Sequence, residues 1–120
     1  MKKILLIGKL NEITQSIYSY LQTEFSIQIS MDNIESVRGM VRINKPDLVI
    51  ASLVGMDSSY SDMFIEIQKL CVGVPLIVIG TVNEYRGIHG DMIQGRVEFL
   101  ERPVSNEKIM TQCKKHFGEI

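Results

Sequence analysis

Each short apolar run of this sequence hands over to residues that bear on chemistry. Gly8 and Lys9 follow "ILLI", Ser52 follows "LVIA", Gly80 and Thr81 follow "LIVI", and Arg102 follows "VEFLE". Lys9 and Arg102, taken with Ser52 and Thr81, would concentrate positive charge and hydroxyls, a setting suited to a phosphate-bearing ligand. Ser52 is a neutral alcohol with no evident base to activate it as a nucleophile. Cys71 and Cys113 have neither metal-ligand spacing nor a redox-pair motif, and both read as reduced core residues. His89 and His116 are too isolated for a metal site or a catalytic triad, and surface placement is expected of both. No metal and no cofactor is expected.

The runs 4 to 7, 48 to 51 and 76 to 79 are short, rich in branched residues and without alternation, as befits parallel strands covered on both faces. "FSIQIS" (25 to 30) alternates and "VEFLE" (97 to 101) is mixed, so these two read as edge strands. Between the strands lie helical spacings: Leu10, Ile13, Ile17 and Leu21; then Ile34, Val37 and Val41; then Phe64, Ile67 and Leu70 behind a Ser59/Asp62 capping spacing. A last helix follows Ser105, with Val104 and Ile109 placed as a hydrophobic staple. The fourth helix starts at Thr81 and Glu84 and is expected to be short, since Gly87 and Gly90 each cost about 1 kcal/mol in a helix interior.

This alternation implies an α/β sandwich of three layers with right-handed crossovers, and the edge-like second and fifth runs fit strand order 2-1-3-4-5. Sites in such sheets form beyond the carboxyl ends of the strands. Gly8, Lys9, Ser52, Gly80, Thr81 and Arg102 are therefore expected around one rim. One domain over residues 1–120 is expected from the length. No apolar run approaches the ~20 residues that span a bilayer. The opening "MKKILLIG" has too short an apolar stretch for a signal peptide, which favours the cytoplasm. Thirteen basic against fourteen acidic residues lack the basic excess of nucleic-acid binders.

In order and spacing, "KKILLI", "PDLVIAS", "VPLIVIGT" and "GRVEFLERP" make nearly the whole chain resemble the receiver domain of bacterial response regulators, with its flavodoxin-like fold. In that family two acids follow the first strand, an aspartate ends the third, a threonine or serine ends the fourth, and a lysine precedes the proline after the fifth. The matching residues here are Gly8 and Lys9, Ser52, Gly80 and Arg102. Phosphoryl transfer to an aspartate needs that carboxylate, with magnesium held by neighbouring acids. Neither requirement is met, so the resemblance implies a degenerate receiver without aspartyl phosphorylation or a magnesium site. Three roles are open for Lys9: donating to Ser52 and nearby carbonyls in place of the cation, joining Arg102 in an anion site, or simply pointing to solvent or pairing with Glu12 or Asp57.

The resemblance further implies a phosphorylation-independent signalling module, not an enzyme, that acts through a protein partner, a homodimer included. The implied contact face joins the fourth helix, fifth strand and fifth helix. Met92, Phe99, Met110 and Lys114 are its candidate residues, and Phe99 matches the family's switch aromatic. Met40, Met63, Met92 and Met110 fit either core gaps or a partner surface. The competing class is an anion- or nucleotide-binding protein on the same sheet, using the Lys9/Arg102 rim. A sugar-phosphotransfer subunit would want a cysteine in the first loop, and a dinucleotide binder a glycine-rich first turn; "GKLNE" offers neither.

Overall fold

In the computed structural model, which describes residues 1–30, 34–43, 45–55, 60–86 and 97–118, strands and helices alternate along the chain. The elements are β1 (Lys3–Ile7), α1 (Glu12–Leu21), β2 (Ser26–Ser30), α2 (Ile34–Ile43), β3 (Leu48–Ser52), α3 (Tyr60–Leu70), β4 (Leu76–Gly80), α4 (Val82–Arg86), β5 (Val97–Glu101) and α5 (Asn106–His116). The five strands form one sheet in the order β2-β1-β3-β4-β5, with every neighbouring pair parallel. The expected fold class is therefore observed.

Period-two alternation divides the sheet into two cores. Leu5, Ile7, Val49, Ala51, Leu76 and Val78 meet Val37 and Val41 of α2 and Phe64 and Ile67 of α3. Ile4, Leu6, Leu48, Ile50, Ile77 and Ile79 meet Ile17 and Leu21 of α1 and Ile109, Met110 and Cys113 of α5. Because β3 and β4 are buried along their whole length, they read as unbroken apolar runs. The edge strands β2 and β5 keep half-exposed positions.

Local signals set the helix starts. Asn11 caps α1 with extended backbone, its Oδ1 accepting from the Thr14 N–H at 3.0 Å. Ser105 caps α5 in the same manner, accepting from the Lys108 N–H at 3.1 Å, while Val104 packs against the cluster that holds Ile109. Leu10 departs from the expected spacing: it precedes the cap of α1 and is 74% exposed, so it covers no sheet face. Ser59, Gly87, His89, Gly90 and Met92 lie outside the described residues, as do the side chains of Asp62 and Met63.

Both cysteines are buried and free. Burial, aided by the Glu98 charge, pushes the Cys113 thiol up to about 12, which keeps it neutral near pH 7. His116 is half-buried, not at the surface, because its Nε2 lies 3.0 Å from Glu98 Oε1.

The two cores should dominate stability. Phe64→Ala, which removes a fully buried ring, is expected to lower the unfolding free energy in urea by about 3–5 kcal/mol. The Arg38–Glu66 pair joins α2 to α3 at 2.9 Å but is 43% and 27% exposed, so Arg38→Ala should cost less than about 1 kcal/mol.

Candidate functional site at the carboxyl end of the sheet

Parallel strands of equal length deliver their ends to one rim. Gly8, Ser52, Gly80 and Arg102 terminate or follow β1, β3, β4 and β5. The Leu53 N–H donates to Ile79 O at 2.9 Å and the Arg102 N–H to Gly80 O at 2.9 Å, which ties the outgoing loops to β4. The six rim residues read from the sequence are thus gathered at one end of the sheet, in quite different surroundings.

At the centre, the loop after β1 passes close to the end of β3, and a side chain at position 8 would be in tight contact there. A Cβ on Gly8 would lie 3.2 Å from Ser52 O and 3.3 Å from Ser52 Cβ. Ser52 is 0% exposed, and its Oγ has no hydrogen-bond partner among the described residues. Burying such a hydroxyl costs about 1–3 kcal/mol. It is also a poor nucleophile, since it is buried and no base is hydrogen-bonded to it among the described residues.

Lys9 does not reach Ser52, contrary to the first of its expected roles. It is exposed, and its stem passes over Gly55, whose hypothetical Cβ would sit 3.7 Å from Lys9 Cδ. Gly55 adopts φ +78°, a conformation that glycine takes without steric cost. No ion pair joins Lys9 to Glu12 among the described residues, and Asp57 lies outside them. The Lys9 carbonyl accepts from Thr14 Oγ1 at 2.7 Å, and Asn11 Nδ2 donates to Val54 O at 3.3 Å. The first bond fastens the loop after β1 to the start of α1, and the second pins that loop to the residues after β3. The sequence reading passed over Asn11 and Thr14, although a cap-forming residue one position before a helix is a legible signal.

Thr81 and Glu84 form a reciprocal capping box. The Thr81 N–H donates to Glu84 Oε1 at 2.7 Å, and the Glu84 N–H donates to Thr81 Oγ1 at 3.2 Å. That carboxylate, together with Leu53, also crowds Gly80, where an added Cβ would meet each at 3.1 Å. A negative charge from the chain itself thus stands at the rim beside Thr81, which weakens the uniform positive field expected there. Arg102 is half-buried, follows β5, and precedes a cis peptide bond to Pro103. Its guanidinium has no hydrogen-bond or ion-pair partner among the described residues.

The expected contact face is only partly assembled. Phe99 is half-buried, and its ring stacks on Tyr85 of α4 with centroids 4.3 Å apart. Tyr85 in turn donates its N–H to Thr81 O at 2.9 Å, so the aromatic pair is joined to the rim. Met110 is 9% exposed and belongs to the core under α1 and α5. Lys114 Nζ pairs with Glu24 Oε2 at 2.6 Å, in the turn between α1 and β2. Both residues point toward α1 because helical spacing puts them on the stripe of α5 that also carries Cys113 and Phe117.

No family model and no curated protein matches the sequence. Solved structures do. A response regulator receiver domain protein from Clostridium thermocellum superposes with TM-score 0.79 at 23% identity, covering 98% of this chain and 95% of that one. The receiver domain of NtrX from Brucella abortus gives 0.77 at 16% identity over 98% and 99%. The beryllofluoride-activated NtrC4 receiver domain dimer gives 0.71 at 21% identity over 99% and 98%. The chain therefore has the receiver fold end to end.

If the Ser52 hydroxyl is unpartnered, its removal should relieve a penalty. Ser52→Ala is expected to raise the unfolding free energy by about 1 kcal/mol, whereas Asn11→Ala, which removes the α1 cap, should lower it by about 1–2 kcal/mol. Chemical denaturation of both variants checks the pair; a clear loss on Ser52→Ala would mean that the hydroxyl has a partner.

Proposed function

We propose that this chain is a degenerate receiver: a signalling module of the two-component type that acts through protein contacts and is not switched by aspartyl phosphorylation. One observation carries the reading. At the end of β3, where the family resemblance implies a phosphoacceptor aspartate, stands Ser52, sealed from solvent and pressed against Gly8. A phosphoryl group would meet a buried alcohol there, and no cluster of carboxylates that could hold a divalent cation stands among the described residues. The receiver fold of the structural neighbours supports the signalling class, and the dimeric state named for the NtrC4 domain supports contact between receiver folds as its mode of action.

The contact surface in this reading is the α4–β5–α5 side. Phe99 with Tyr85 forms its aromatic centre, and the link from Tyr85 through Thr81 to the rim supplies mechanical continuity. Such a module has one resting conformation set by packing, and a partner reads its shape. A homodimer or a second regulatory protein fits this surface, and the cytoplasm is the matching compartment.

The test is incubation with acetyl phosphate and magnesium, followed by intact mass measurement. No phosphoryl adduct is expected on the native chain under conditions that label an acid-containing receiver run in parallel. A stoichiometric adduct on the folded protein would overturn the proposal.

A further inference from the structure

Beside the rim, on the α1–α5 side of the sheet, the structure contains a pocket of about 200 Å³. Ile13 and Ile17 of α1, Ile79 of β4 and Ile109 of α5 give it an apolar lining, while Arg102 and Asn106 supply its polar groups. Asn106 Nδ2 donates to Ser16 Oγ at 2.8 Å and so pins α5 to α1 beside the pocket. The Arg102 backbone is held in place by its bond to Gly80 O at 2.9 Å.

The guanidinium is the unusual member of this group. The planar fork of donors on an arginine matches a carboxylate. Arg102 is half-buried, lines the same pocket as the four isoleucines, and has no ion-pair partner among the described residues. A cation so placed favours an anion, and the isoleucines favour a ligand that brings apolar surface with it. Inorganic phosphate would satisfy the first requirement and waste the second. The volume lies below the roughly 300–1,000 Å³ typical of sites for drug-sized molecules, which limits the ligand to a few carbon atoms.

We propose that this pocket binds a small aliphatic monocarboxylate, its carboxylate on the Arg102 guanidinium and its branched or short tail among Ile13, Ile17, Ile79 and Ile109. The site is separate from the Ser52 position and independent of the contact-module reading. A failure of either leaves the other standing.

Methyl NMR on the full chain, titrated with isovalerate, tests the proposal. Saturable shifts of the Ile13, Ile17, Ile79 and Ile109 methyls are expected in the millimolar range. Isopentanol, which lacks the charge, and inorganic phosphate, which lacks the tail, should each bind at least about tenfold more weakly, since a charge-assisted hydrogen bond or a buried branched tail is worth that much. Arg102→Gln should weaken isovalerate to the same degree at an unchanged unfolding midpoint. Val104→Phe, which fills the pocket from the loop after β5 while keeping the arginine, should abolish the shifts. Absent or non-saturating shifts in the native chain would overturn the assignment. So would equal binding of phosphate or isopentanol, or undiminished binding by a folded Arg102→Gln or Val104→Phe variant.

Discussion

Three central strands of this sheet are covered on both faces, and that burial is the constraint from which the rest follows. β3 and β4 present no exposed side chain, and β1 only its first. Backbone groups in such a slab must pair with one another, which the continuous parallel ladders accomplish. Side chains must be apolar, because an unpaired polar group there is costly. Polar chemistry is consequently pushed to the strand ends, and in a parallel sheet those ends share one rim.

What the rim holds is decided by contact distances as much as by residue types. The approach of Gly8 to Ser52 is close enough that a Cβ at position 8 would press on Ser52 at 3.2–3.3 Å. Around that centre, the polar groups are drawn into local duties: Thr14 holds the Lys9 carbonyl, Asn11 reaches Val54 after β3, and Thr81 and Glu84 cap α4.

The two sides of the molecule differ in how they are finished. On the α1–α5 side, Asn106–Ser16, Lys114–Glu24 and the edge-on rings of Phe25 and Phe117 stitch the helices to each other and to the turn before β2. Toward β5 and α4, the Tyr85–Phe99 stack leaves both rings half-exposed. The first side is closed around a small pocket with a charged lip, and the second offers aromatic surface. A ligand and a protein partner would therefore meet different parts of the same fold.

The architecture was legible in the sequence because it depends on local quantities. Runs such as "LVIA" and "LIVI" declare two-sided burial, the alternation in "FSIQIS" declares an edge, and capping residues announce where helices begin. The rim's membership followed from the same pattern, since each run's end is visible in one dimension. Its inner arrangement was not. Whether Lys9 would reach Ser52 depended on how closely β1 approaches β3, and whether Met110 and Lys114 would face outward depended on the rotation of α5 about its axis. The pocket that Arg102 lines with four isoleucines brings together β4, the loop after β5 and two helices that are distant in the chain. Spacing along the chain determines which face of an element is apolar; only the packing of elements against one another determines which polar atoms meet and which are left without a partner.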